Sequence, residues 1–383
     1  MNFDKLKAFL DYYLPMLGVP GSDTVIYKNH EEIFRYSSGF DSLSERTALT
    51  KDTVYNIYSC TKISTCVAAL QLIERGEILV DDPVYIYLPE YKNLNVLSKT
   101  SDCGQEPLPI ESPLLIKHLF TMTSGFDYNL NRDSIKKVMA ETDGKCPTLE
   151  IVKALASDPL MFEPGKRYCY GLSHDILGGI IESVSGLTLE EYMQKNIFVP
   201  LGMKNTTFKI TDENRGRLAN QYDYDTIGRC AADAGRENNP FRFGTEYCSG
   251  GAGLLSTVDD YILLMDALAN GGVGKNGYRV LSSRSVELMR SPMLTAEQQV
   301  YFEQGIHKGY DYCYGVRVLR DPAVAGTLSA KGAFGWDSKR MCLAISDPDN
   351  KIAIFHAEQI DRMNSIVVPR LINAVYSCLD EDL

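Results

Sequence analysis

Near residue 58 the chain switches from an extended to a helical pattern, and the residues at that switch, Tyr58-Ser59-Cys60-Thr61-Lys62, constrain the fold more than any others. Thr53-Val54-Tyr55-Asn56-Ile57 is rich in β-branched and aromatic residues and reads as extended, whereas Ile63, Cys66, Val67, Leu70 and Ile73 recur at helical spacing. Ser59 is therefore expected at or just inside a helix N-terminus. Residues three apart on a helix share a face, with Cβ atoms roughly 5–6 Å apart, so Lys62 can reach the Ser59 hydroxyl. The helix start adds unpaired N–H groups and a partial positive charge, which favour oxyanions and oppose protonation of the lysine. A weak nucleophile thus stands beside a nitrogen base.

The spacing also occurs at Ser134-Ile135-Lys136-Lys137, inside the polar run from Asn129 to Lys145 with no extended segment before it; that copy reads as a solvated surface helix. For Ser59 the competing reading is a helix N-cap serine followed by a surface lysine. Composition narrows the function classes. A chain of 383 residues with 44% hydrophobic and 23% charged residues can bury an enzyme-sized core, as two domains or one domain with a large insertion. A formal net charge of -11, with no basic cluster to offset it, argues against nucleic acid or an anionic membrane as partner. The N-terminal residues mix charges among apolar positions at helical spacing, and no stretch approaches the ~20 apolar residues needed to span a bilayer, so a cytoplasmic location is expected. The ten cysteines lack a Cys-x-x-Cys pair and read as buried free thiols. The five histidines are dispersed, so neither a metal site nor another cofactor is expected.

Coarse patterning places strands at both ends and helices between. A helix from about Phe3 to Leu14 precedes a hairpin, Thr24–Lys28 with Glu32–Tyr36, and strands recur at Tyr314–Val318, Met341–Ile345 and Ile352–Phe355 before a final helix from Asn364 to Leu379. The natural packing is an α/β (α+β) arrangement: one antiparallel sheet built from residues 1–58 and 250–383, flanked by terminal helices, with the mainly helical stretch 59–249 inserted and the active site between them.

Taken in order, Ser59-Cys60-Thr61-Lys62, Asp81-Asp82-Pro83, Thr121-Met122-Thr123-Ser124-Gly125, Pro164-Gly165 with Tyr170, Pro200-Leu201-Gly202-Met203 and Gly251-Ala252-Gly253-Leu254 resemble the penicillin-recognising serine hydrolases. The branch concerned holds class C β-lactamases, D-alanyl-D-alanine peptidases and β-lactamase-like carboxylesterases. The resemblance implies the β-lactamase/transpeptidase-like fold and a serine acyl-enzyme mechanism. It assigns Ser59, Lys62 and Tyr170 as catalytic, with Tyr170-Gly171-Leu172 standing at the family's Tyr-x-Asn position. The oxyanion-binding N–H groups would come from Ser59 and from Ser338 or Lys339, in a Gly332–Lys339 segment that resembles the family's Gly-Trp-Gly-Gly strand. Trp336, Asp337 and Tyr128 are the expected substrate contacts. His307-Lys308-Gly309 fits the His-x-Gly pattern but precedes the Tyr314 strand, where family order places it after, and is set aside as a decoy. Asp337 would repel a substrate carboxylate unless Lys339 or Arg340 compensates. An ester of a small neutral acyl group is therefore the expected substrate, ahead of a β-lactam or D-amino-acid peptide, with a non-catalytic binding or sensor module as the alternative of another class.

Overall fold

In the strands Cys342–Asp347 and Ile352–Ala357 every residue is buried, so they show no alternation of polar and apolar residues; parity instead selects which of two cores each side chain enters. The computed structural model describes residues 1–97, 107–225, 230–304 and 307–379. Leu343, Ile345, Ile352 and Ile354 pack with Ile26 against Leu6, Leu10 and Leu14 of the N-terminal helical segment and Val367, Leu371 and Val375 of the C-terminal helix Asn364–Leu379. Ala344, Ala353, Phe355 and Val25 join the opposite core, with Tyr261 and Leu268 of the helix Val258–Ala269 and Ile63, Val67 and Leu70 of the helix Thr61–Glu74.

The sheet has eight antiparallel strands in the order Tyr310–Tyr312, Arg317–Leu319, Phe334–Asp337, Cys342–Asp347, Ile352–Ala357, Gly21–Lys28, Glu31–Ser42 and Thr47–Ala48. The two ends of the chain meet at its centre, where Val25 pairs with Phe355. This is the antiparallel sheet expected of a β-lactamase/transpeptidase-like fold. The residues between the sheet's halves form mostly helices, including Ile116–Phe120, Asp133–Glu141, Thr148–Leu155 and Ser173–Ser185. Thr61–Glu74 is buried from Thr61 through Leu72, so it is enclosed on all sides and lacks an exposed polar stripe. Among the described residues no helix is long and apolar enough to cross a membrane.

The first helical segment ends close to Pro15 as expected, at Met16. Two local expectations change. Tyr314-Gly315-Val316 is not strand but the connection between two short ones, because Gly315 presses on the central helix: a Cβ there would lie 2.2 Å from Cys66 Sγ. The second Ser-x-x-Lys copy is a helix, Asp133–Glu141, with exposed lysines as expected, but Ser134 itself is buried and donates to Asp158 at 2.6 Å.

Candidate active site

A 3-10 turn, Tyr58–Cys60, runs directly into the helix Thr61–Glu74, so Ser59 occupies a helix start. Tyr58 enters that turn at φ +41°, a strained backbone for a bulky residue. Its phenol donates to Gln221 Oε1 at 2.5 Å, which anchors it there. The Ser59 N–H has no hydrogen-bond partner among the described residues, as the first N–H groups of a helix lack intrahelical acceptors.

Lys62 is fully buried, with Nζ 3.3 Å from Ser59 Oγ, 2.7 Å from the Tyr128 hydroxyl and 2.7 Å from the Gly251 carbonyl oxygen. Burial penalises its ammonium form and brings its pKa down to about 7, with Asp175 the largest opposing influence. The Gly251 carbonyl can only accept, so it takes an N–H, and the neutral amine retains a lone pair for the Ser59 proton. Tyr170 completes the group differently from expectation. Its ring, not its hydroxyl, faces the amine, with Nζ 4.5 Å from the ring centroid. The Trp336 indole N–H donates to the Tyr170 oxygen at 2.8 Å, and burial raises the phenol's pKa despite hydrogen bonds to Ser59 and Trp336. Tyr170 is therefore a neutral phenol at pH 7, with its own O–H left to donate.

Tyr128 is not in the cleft that Ser59 opens into; its hydroxyl contacts Lys62 and its ring stands edge-on to Tyr170. The cleft has a volume of about 440 Å³. Its wall is a run of rings: Tyr170 stacks on Trp336 (5.4 Å), Trp336 on His307 (5.6 Å) and His307 on Phe302 (4.6 Å), with Tyr168 edge-on to Phe302. His307, read as a decoy because of its place in sequence, thus lines the cleft, and burial lowers its pKa to about 4. His307 stacks over Trp336 just ahead of the edge strand Tyr310–Tyr312, a placement that sequence order does not reveal.

Phe334–Asp337 forms the strand beside the nucleophile and pairs with Cys342–Asp347. The hairpin closes through Ser338, whose N–H donates to the Cys342 carbonyl at 2.9 Å, so that donor is spent. Of the two expected partners for the Ser59 N–H, Lys339 alone keeps a free backbone N–H among the described residues. Asp337 is compensated, but by Arg317 across the sheet and by Asn364 Nδ2 at 2.5 Å. The Lys339 side chain is exposed, and Arg340 is turned away to Asp223 and the Tyr222 carbonyl. Among the described residues no group of three or more His, Cys, Asp and Glu could hold a metal ion.

This fold, with a serine and a buried lysine at the start of its central helix, is of the β-lactamase class. The chain belongs to the Beta-lactamase family, whose profile matches residues 6–364. It is 28% identical over 352 residues to the esterase EstB of Burkholderia gladioli, covering 87% of this chain and 84% of that one. It is 28% identical over 310 residues to the acyltransferase mokF of Monascus pilosus, covering 78% and 72%. A mutant of simvastatin synthase (LovD) from Aspergillus terreus superposes with a TM-score of 0.82 at 20% identity, covering 100% and 99% of the two chains. Family and relatives together support an enzyme of serine hydrolase type.

Proposed function

We propose that this protein is a carboxylesterase that works through an acyl-enzyme on Ser59. The observation that carries the reading is the convergence of Ser59 Oγ and a buried Lys62 amine of near-neutral pKa at the base of an aromatic cleft. Neutral Lys62 takes the Ser59 proton as Oγ attacks the ester carbonyl. The Ser59 and Lys339 N–H groups hold the developing oxyanion, a contribution of ~3–4 kcal/mol per donor in comparable sites. The Lys62 ammonium gives its proton to the departing alkoxide, which the Tyr170 hydroxyl stabilises by a hydrogen bond; water then attacks the acyl-enzyme with neutral Lys62 again as base, and that proton returns to Ser59 Oγ as the acid leaves. Contact at 3.3 Å is loose for proton transfer but ordinary for a site without substrate.

Esters are favoured over β-lactams and D-amino-acid peptides because both arginines beside the site are committed, Arg317 to Asp337 and Arg340 to Asp223, and the exposed Lys339 is the one cation lining the cleft among the described residues, set there against Asp337. Similarity to mokF supports a second reading, in which an alcohol replaces water as the acyl acceptor. Turnover of p-nitrophenyl butyrate that disappears in Ser59→Ala, with nitrocefin left intact, is the expected result. Acyl mass trapped on the Ser59 peptide would complete it. Nitrocefin turnover would favour the lactamase alternative, and activity surviving Ser59→Ala would sink the acyl-enzyme reading.

A further inference from the structure

Behind Lys62, on the side away from the cleft, lies a buried carboxylate to which the mechanism above gives no role. Asp175 sits in the first turn of the helix Ser173–Ser185, where the helix start favours negative charge, and is 1% exposed. Its Oδ1 accepts from Tyr247 at 2.8 Å, from Ser249 Oγ at 2.6 Å and, at 3.5 Å, from the Gly251 N–H. Its Oδ2 is buried without a partner. Burial raises the pKa of this carboxyl above its ordinary value, while the Ser249 and Tyr247 hydroxyls, the Gly251 N–H and the charge of Lys62 act to lower it, and all three groups at Oδ1 can donate to a carboxylate. The same Gly251 turns its carbonyl oxygen to Lys62 Nζ. Only glycine fits there, since a Cβ would stand 2.6 Å from Asp175 Oδ2 and 3.2 Å from the Tyr128 hydroxyl.

We infer that Asp175 is a positioning residue for proton transfer: it fixes the Gly251 carbonyl that orients Lys62, and its charge stabilises the ammonium formed when Lys62 takes the Ser59 proton. This deepens the proposed esterase mechanism and rests on it. The other titratable groups around Lys62 are neutral at pH 7. On its own segment the Cys60 and Cys66 thiols are pushed up by burial; from the helix Ser173–Ser185, His174 is pushed down to about 3; and the Tyr128, Tyr170 and Tyr247 phenols are all raised. Asp175 is the one carboxylate acting on Lys62 among the described residues, and its field opposes the loss of the ammonium caused by burial. Without it the amine would be neutral across the useful pH range but too weak a base to accept the proton well.

The test is the pH profile of kcat/KM for p-nitrophenyl butyrate. The wild type should rise through an acid limb near pH 7 as Lys62 loses its proton. Asp175→Asn keeps the shape and an acceptor oxygen while removing the charge, so the limb should move about one pH unit lower and the plateau fall about tenfold. Tyr247→Phe removes a donor but not the charge, and should lower the rate while leaving the limb in place. If Asp175→Asn does not fold, the smaller neutral Asp175→Ser carries the same expectation. A reduced plateau with an unmoved limb in both neutral variants would overturn the inference and leave Asp175 as a support for the turn alone. A wild-type profile lacking any limb near pH 7 would overturn the Lys62 base assignment instead, and the two failures are told apart by the wild-type curve.

Discussion

The two sides of Ser59 are built from opposite materials. Behind it, Lys62, Asp175, Tyr247, Ser249 and Gly251 form a buried polar network in which Lys62, Tyr247, Ser249 and Gly251 all act as donors. In front, the rings of Tyr170, Trp336, His307 and Phe302 carry no charge, Asp337 is paired with Arg317, and the lining cation Lys339 is exposed to solvent at the rim. Charge inside a low-dielectric interior acts strongly, so the back can set a proton affinity. Stacked rings act by area and shape, so the front can select a substrate without disturbing that affinity. Changes behind should therefore alter kcat, and changes in front should alter KM.

The sharpest way to break this division is Lys62→Met, which removes the base while preserving length and packing. The expected loss in kcat/KM is about 10³-fold, within the range for a general base, and it should fall almost wholly on kcat. Steady-state kinetics on p-nitrophenyl butyrate decide it; a variant whose KM rises while kcat holds would show that the back of the site binds rather than reacts.

Removing Arg317 attacks the boundary between the two sides. Its side chain is 5% exposed and that of Asp337 11%, and the guanidinium also lies 5.5 Å from the Trp336 ring. Arg317→Met should leave Asp337 charged and unmatched beside the cleft, at a cost of about 3–5 kcal/mol in urea unfolding. Adding Asp337→Asn should recover a large part of that loss. An Arg317→Met protein as stable as the wild type would mean that Asn364 alone satisfies the carboxylate.

How much of this was legible in the sequence follows from how far apart the partners lie. Ser59 and Lys62 are three residues apart, so helix geometry alone brings them together, and the final helix was readable from its own periodicity. Tyr170 was found by its order among motifs rather than by local physics, and its contact with Lys62 proved to be through the ring face. Arg317 reaches Asp337 from the neighbouring strand, and Asp175 meets Ser249 across 74 residues. Neither pairing leaves a periodic trace. Whether the Ser338 N–H is free depends on how the hairpin closes, and the stacking of His307 on Phe302 and Trp336 is a matter of three-dimensional placement that motif order does not carry.

The mildest test sharpens the front. His307 is stacked nearly parallel to Phe302, at an interplanar angle of 7°, and also against Trp336, and burial keeps it neutral by lowering its pKa to about 4. A ring held this way contributes surface rather than charge, and an aromatic pair adds ~0.5–1.5 kcal/mol beyond area. His307→Ala should accordingly raise KM for an aryl ester such as phenyl butyrate about five-fold, with kcat and the acid limb near pH 7 unchanged. The sign of the titration makes the test selective. A histidine whose pKa is already near 4 is neutral on both sides of pH 7, so it cannot produce that limb, and deleting it cannot move the limb. If the limb does shift in His307→Ala, the front of the site shares in setting the proton affinity, and the separation between the two sides of Ser59 fails.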